Sequence, residues 1–260
     1  MSYEQILYTL EDGVARISLN DPKTMNGVTE AMGAEMVDAF DRAARESRAV
    51  LLTGEGRGFC SGANLAAAKD LLDDPHRDFG GQLDRVFNPV IMAIKTMEQP
   101  VVTAIRGAAA GYGAGLAAAG DVVLMAEGAY FFCAFCHVGL VPDGGATYLL
   151  AQAVGRVRAM QMMLLGEKVD AKTALDWGLA TRVVPEPDLD AEAMKLARNL
   201  ASGPRSLGLI KRMAWDALDS SLETALLAER RGQRDAGRTD DFLEGVAAFV
   251  EKRKPAFTGK

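Results

Sequence analysis

The chain is poor in the residues that hold metals and cross-links: its 260 residues include three cysteines and two histidines. A disulfide framework needs paired cysteines and a zinc site about four ligands, so neither is expected, and the odd cysteine count points to a reducing compartment. An excess of positive charge is also missing. Lys plus Arg is 29 against 35 for Asp plus Glu, a net charge of −6 at pH 7, which argues against a nucleic-acid surface spread over the chain. The most apolar stretch, 100–126, is broken by Arg106, Asp121 and several glycines, and reads as core, not as a membrane span. Met1-Ser2-Tyr3-Glu4-Gln5 lacks the basic start and apolar run of a secretion signal. The expectation is a cytoplasmic protein with no metal, no membrane contact and no nucleic-acid partner. What is present is ordinary globular material, 49% hydrophobic and 25% charged, with no linker or low-complexity tract dividing it.

Along the chain, Asp12-Gly13 between apolar runs at 6–9 and 14–19 predicts a hairpin. Thr29 predicts a cap for a helix whose apolar stripe is Met32, Met36, Val37, Phe40 and Ala44. A strand at 49–53 leads into the glycine-rich segment 54–58, and helical spacing returns at 82–98. A second cycle follows: a strand at 101–105, a glycine-alanine turn at 107–115, a buried helix near 116–119, then strands at 121–126 and 129–132. This recurrence predicts an α/β fold with largely buried sheets. Beyond about 145 the pattern reads as helical throughout, with Ser220 and Glu223 as a capping box and Pro204 at a first helical position. The last helices carry Leu209, Ile210, Met213, Trp215, Leu218, Leu222, Leu226, Phe242 and Phe249. That is more apolar surface than a peripheral lobe buries alone, so a partner subunit is expected.

Several motifs carry a chemical and a structural reading. Cys133-Ala134-Phe135-Cys136 followed by His137 has the form of a metal or redox pair, but its apolar neighbours favour buried structural cysteines. Gly113-Ala114-Gly115-Leu116-Ala117-Ala118 matches a dinucleotide fingerprint formally, yet no acidic residue follows about 20 positions on. Two glycine-flanked turns, 58–65 and 107–115, each follow a strand and present unencumbered backbone N–H groups. Convergent N–H groups make an oxyanion hole; close backbone packing is the structural alternative. In Gly139-Leu140-Val141-Pro142-Asp143-Gly144-Gly145 the aspartate is either a turn residue capping the next helix or a carboxylate tuned by apolar neighbours for proton transfer.

In this order and spacing these segments resemble the crotonase (enoyl-CoA hydratase/isomerase) superfamily. The resemblance includes Asp21 to Asn26, Phe59 to Leu65, Ile105 to Asp121, Phe135 to Thr147, Leu164-Leu165-Gly166, Trp177-Gly178-Leu179 and Phe249 to Phe257. It implies an α/β crotonase-like spiral of ββα turns, with a catalytic core over 1–200 and a helical trimerisation region over 201–260. It also implies an acyl-CoA thioester substrate, no cofactor beyond the coenzyme A of that substrate, and a homotrimer or a dimer of trimers. The implied oxyanion hole is the N–H groups of Ala63 and Tyr112. The backbone at Ser61, Ala63 and Leu65 is expected to meet the adenine, Met25 and Asn64 to line the coenzyme A path, and Lys23 or the tail Lys252, Arg253 and Lys254 to reach its phosphates.

The two glutamates with which hydratases of this family activate water fall on Gly115 and Phe135, neither of which moves protons. The carboxylate that remains is Asp143, matching the aspartate of dienoyl-CoA and 1,2-epoxyphenylacetyl-CoA isomerases. Aryl-CoA dehalogenases share that aspartate but pair it with a Trp where this chain has Phe135. The leading expectation is an isomerase nearest the epoxyphenylacetyl-CoA type, one aspartate shuttling a proton. A hydratase, or a non-catalytic acyl-CoA-binding subunit, is the alternative. The residues shaping the acyl pocket are expected within 66–90.

Overall fold

A computed structural model describes residues 3–68 and 73–260. The hairpin forms as expected. β1 (Ile6–Glu11) and β2 (Val14–Leu19) pair antiparallel around Asp12 and Gly13, both at positive φ (50° and 76°), the turn geometry that matches strand twist. β2 then pairs parallel with β3 (Ala49–Gly54), and β3 with β4 (Val101–Ile105). β4 pairs with β6 (Val122–Ala126), and β6 with β9 (Arg182–Val184), giving a six-stranded sheet in the order β1-β2-β3-β4-β6-β9. Every residue of β3 and β4 is buried, as a parallel sheet covered on both faces requires.

A second sheet runs beside the first. β5 (Ala108–Ala110) pairs parallel with β7 (Tyr130–Phe132), and β7 antiparallel with β8 (Lys168–Asp170). Isolated bridges Val28–Ala63 and Cys60–Ala109 carry the pairing back through the earlier segments. The chain therefore spirals. Each turn places one strand in the large sheet and an extended segment in the small one, then a helix: α1 (Glu30–Glu46), α2 (Asn88–Thr96), α3 (Tyr112–Ala118) and α4 (Ala146–Val154). Thr29 caps α1 by accepting the Met32 N–H at 3.1 Å. α5 (Arg156–Met160) and α6 (Ala171–Trp177) precede β9, and α7 (Leu189–Ala201) packs on β2, β3, β4 and β6 through Leu189, Ala193, Ala197 and Ala201. α8 (Ser206–Ala217), α9 (Leu222–Ala236) and α10 (Asp240–Glu251) complete the chain.

The structure departs from the sequence expectations in several places. β5 was expected as a turn, because three alanines carry no strand signal; pairing to β7 makes it a strand. The region after 145 is not all helix, since the three-residue strands β8 and β9 are too short to show a period of two. Within that helical region α5 passes directly into a π-turn, Gln161–Leu165. The cap of α9 is Ser221, accepting the Thr224 N–H, and not Ser220. Pro204 lies two residues ahead of α8. Cys133 is buried but Cys136 is exposed, so the buried-cysteine reading holds for the first alone.

The end of the chain is pinned by two carboxylates. Asp241, almost fully buried, accepts the N–H groups of Arg205 (2.8 Å), Thr258 (2.7 Å) and Gly259 (2.9 Å). Glu244 takes Arg253 (2.6 Å) and the Ala256 N–H (2.7 Å). The outer faces of α9 and α10 remain bare: Leu222, Leu226, Leu227, Phe242 and Leu243 are exposed, and Phe249 is 85% exposed.

Candidate active site

The two glycine-flanked turns meet. The Phe59–Ala63 turn lies along β5 through Cys60 N–H to Ala108 O (3.0 Å) and Ala110 N–H to Cys60 O (2.8 Å). Where they touch there is no room for side chains. A Cβ on Gly62 (φ 105°) would stand 3.0 Å from the Ala110 oxygen and 3.5 Å from the Tyr112 nitrogen, and one on Gly113 would be 2.5 Å from the Cys60 oxygen. Val28 N–H donates to Gly62 O and Asn64 N–H to Val28 O, holding the segment around Ala63 extended. Among the described residues, neither the Ala63 nor the Tyr112 N–H has a hydrogen-bond acceptor.

The Tyr112 side chain turns into the core. It is buried, stacks on Phe87 with ring centroids 4.6 Å apart, and donates its hydroxyl to the Phe87 carbonyl at 3.2 Å. A tyrosine at this position therefore leaves its own backbone N–H free for other use.

Asp143 enters from the third motif. The turn Asp143-Gly144-Gly145 precedes α4, with both glycines at positive φ (58° and 72°). The capping alternative is not what forms: the residue before α4 is Gly145, with no side-chain cap, and Asp143 contributes its carbonyl to Ala146 N–H (2.9 Å). Its Oδ1 is buried without a hydrogen-bond partner. Burial disfavours the charged form and raises the Asp143 carboxyl from 3.8 to about 6. The same burial pushes the nearby Cys60 thiol up to about 12, with the Asp143 charge a lesser contributor.

Asp143 opens into a pocket of about 640 Å3 together with Ala63, Asn64 and Leu65. Its apolar wall includes Val28, Phe79, Leu83, Phe87, Leu140 and Val141. Leu83 and Phe87 stand on a π-turn, Leu83–Phe87, that runs into α2. The π-turn approaches α1 so closely that a Cβ on Gly33 would overlap Val86. The wall residues 79–87 fall in the expected segment 66–90, of which 69–72 lie outside the described residues.

Lys23, Met25 and Ser61 sit beside this pocket and do not line it. They form one patch, with Ser61 N–H donating to Met25 O (2.9 Å) and Ser61 Oγ to Thr24 O (2.8 Å). Lys23 is exposed on the 3-10 turn Pro22–Thr24. In the basic tail, Arg253 is turned onto Glu244 and Glu251 and is occupied there.

Gly115 and Phe135 have no carboxylate to offer, and Gly115 has no space for one: a Cβ there would overlap the Gly144 carbonyl oxygen. Phe135 is buried. The sequence pointed to Ala63, Tyr112 and Asp143 but not to Gln5, Phe79 or Phe87, which are brought to the site by packing. Leu83 and Phe87 fall on the same helical stripe as the buried Val86, Val90 and Ile94, so their spacing alone does not mark them as pocket wall.

The arrangement places Ala63 and a half-buried carboxylate, its Oδ1 without a partner, on one pocket whose lining is mixed, with Glu30, Gln5 and Thr29 beside the apolar wall. Tyr112, whose N–H is also unpaired among the described residues, adjoins the Gly62 turn without lining the pocket. Such a site can polarise a carbonyl and move a proton next to it. The chain is 42% identical over 260 residues to the 1,2-epoxyphenylacetyl-CoA isomerase of Escherichia coli K12, covering 99% of both chains. It is 41% identical over 263 residues to a Rhodobacter capsulatus protein named as a probable enoyl-CoA hydratase, covering all of both. The crystal structure of an enoyl-CoA hydratase from Polaromonas sp. JS666 superposes with a TM-score of 0.92 at 32% identity, covering 97% of this chain and 99% of that one. A model of the enoyl-CoA hydratase/isomerase family matches residues 9–260, and with it the α/β spiral is the crotonase fold: the chain belongs to the enoyl-CoA hydratase/isomerase family.

Proposed function

We propose that this protein is an acyl-CoA isomerase in which Asp143 is the proton shuttle. The observation that carries the reading is Asp143 itself, which lines the pocket that Ala63 borders and whose Oδ1 is buried without a partner. In this reading the thioester carbonyl accepts hydrogen bonds from the Ala63 and Tyr112 N–H groups. That polarisation acidifies a C–H bond α to the carbonyl, or γ to it through a double bond. Asp143 takes the proton, the electron pair passes into the dienolate, and the same carboxyl returns the proton to another carbon. One C–H bond breaks, one forms, and no water is consumed. A carboxyl at about 6 is mostly ionised at neutral pH, yet basic enough to abstract.

Hydration requires a second group to hold and activate water. The overlap at Gly115 and the burial of Phe135 speak against it, although a relative carries a hydratase name. The isomerase name of the Escherichia coli relative supports a double-bond shift or an epoxyphenylacetyl-type rearrangement. Lys23, Met25, Ser61, Asn64 and Leu65 are read as the coenzyme A side of the site, and the region 201–260 as the surface of a homotrimer or a dimer of trimers. Incubation with 2-enoyl-, 3-enoyl- and arylacetyl-type CoA thioesters, followed by absorbance and mass, tests the reading. Isomer formed without gain of 18 Da supports it; hydrated product at a comparable rate overturns it.

A further inference from the structure

Beneath the proposed carbonyl-binding amides lies a buried side chain that the chemistry above does not use. Asn26 is fully buried with a left-handed backbone (φ 59°). Its Oδ1 accepts the Asp21 N–H at 2.9 Å. Its Nδ2 faces three carbonyl oxygens, Glu55 (3.0 Å), Gly58 (2.9 Å) and Phe59 (3.1 Å). Two N–H groups are thus shared among three acceptors, and the amide cannot be flipped without setting its oxygen against all three. Gly54 leaves the space: a Cβ there would stand 2.7 Å from Asn26 Nδ2.

The contacts on either side extend this clamp. Thr24 Oγ1 donates to Asp21 Oδ2 (2.6 Å) and accepts the Gly27 N–H (3.0 Å). Ser61 bonds Met25 and Thr24, while Val28 bonds Gly62 and Asn64. The turn 21–28 is therefore laced to 55–64 on both sides of Ala63, and Asn26 holds its centre. The Gly58 and Phe59 carbonyls that it grips lie five and four residues before the Ala63 N–H.

We propose that Asn26 is a positioning residue for the Ala63 amide: it fixes the turn that aims this N–H, so that polarisation of the bound thioester depends on it while affinity for coenzyme A does not. This rests on reading Ala63 and Tyr112 as the carbonyl-binding donors. A merely structural asparagine would affect stability but not polarisation.

The probe is cinnamoyl-CoA, a conjugated thioester whose absorption moves to the red when its carbonyl is polarised. The variants are Asn26→Gly, which suits the left-handed backbone and removes the amide, and Asn26→Asp, which keeps the shape but not the donors. Ser47→Ala, a buried hydroxyl bonded to Ala43 O, is the remote control for lost stability. The expected result is a red shift with the parent protein, retained in Ser47→Ala. In the folded Asn26 variants the shift should fall by about half or more, with kcat down about 10- to 100-fold and KM within about threefold, the range for a donor displaced by about 1 Å.

Variants that lose stability but keep both shift and kcat overturn the proposal and leave the oxyanion reading standing. So does a loss confined to affinity. Absence of any red shift in the parent overturns the oxyanion reading itself. If neither variant folds, hydrogen exchange on the parent decides: amides of 21–28 and 55–63 opening as one unit support the clamp, and independent opening overturns it.

Discussion

Gly115 and Gly144 pack backbone to backbone: the carbonyl oxygen of Gly144 occupies the place a Cβ on Gly115 would take. The absence of a hydratase glutamate at 115 is thus built into the turn that carries Asp143. Gly115→Glu should fail to install hydration of crotonyl-CoA. It should also push the 143–145 turn away, costing about 1–3 kcal/mol by overpacking and lowering isomerase turnover. Urea unfolding and product analysis on one preparation test this; a stable variant that hydrates would show that the turn yields.

Asp143→Asn should lower isomerase turnover about 10²- to 10⁴-fold with acyl-CoA affinity nearly intact, because Asn keeps the shape but takes no proton. Near-normal turnover in this variant would remove Asp143 from the mechanism.

The same carboxyl predicts a pH signature in stability. Its pKa is raised on folding, from 3.8 to about 6, so between those values the folded state binds more protons than the unfolded one. Stability from this group is fully present below about pH 4, falls as pH rises, and is lost above about pH 6, by on the order of 2 kcal/mol given its partial exposure. Asp143→Asn should therefore gain stability relative to the parent at pH 7.5 compared with pH 4, read from urea midpoints. In the parent, kcat/KM should decline below about pH 6 as the base is protonated. An equal stability difference at both pH values would mean that the carboxylate is not held unpaired.

The bare outer faces of α9 and α10 predict assembly. Light scattering at micromolar concentration should give about three or six times the 27.7 kDa chain mass. Phe249→Asp, at a side chain 85% exposed in the isolated chain, should reduce the assembly state with little effect on the fold of one chain. A 27.7 kDa species in the parent would contradict the trimer.

Phe87 closes the pocket against Tyr112. Phe87→Leu should open that end, raising the ratio of kcat/KM for a ten-carbon over a four-carbon acyl chain by about tenfold or more. Phe87→Ala should open it further at a stability cost of about 3–5 kcal/mol. An unchanged chain-length profile in the folded Leu variant would place the acyl group elsewhere.

The legible parts of this molecule were those where one residue type does one local job. Asp12-Gly13 has to turn, Thr29 has to cap, and the unbroken apolar run at 101–105 has to be covered on both faces. Asp143 was legible from its neighbours only as a turn residue after an apolar run; its reading as a proton carrier came from the family resemblance. β5, β8 and β9 were not, since three residues have no period and their strand character comes from neighbours far along the chain. For the pocket wall the segment 66–90 was named but not its residues, because Phe79, Leu83 and Phe87 look like any apolar residues until the contact of Gly33 with Val86 sets where their turn lies. Asn26 escaped because its partners are carbonyls, which leave no trace in side-chain identity.

The spiral pairing of Val28 with Ala63 and of Cys60 with Ala109 has one more consequence. If the carbonyl is gripped by main-chain N–H groups, that grip is inherited from strand spacing and is indifferent to which side chain occupies positions 63 and 112. Tyr112 can then spend its ring on the core without disarming the site. Substitutions that leave those two N–H groups in place would tune packing, and reaction outcome would be governed by separate positions such as 115, 135 and 143. One scaffold could then change its product by exchanging a carboxylate on a neighbouring turn, leaving the electrophilic grip untouched.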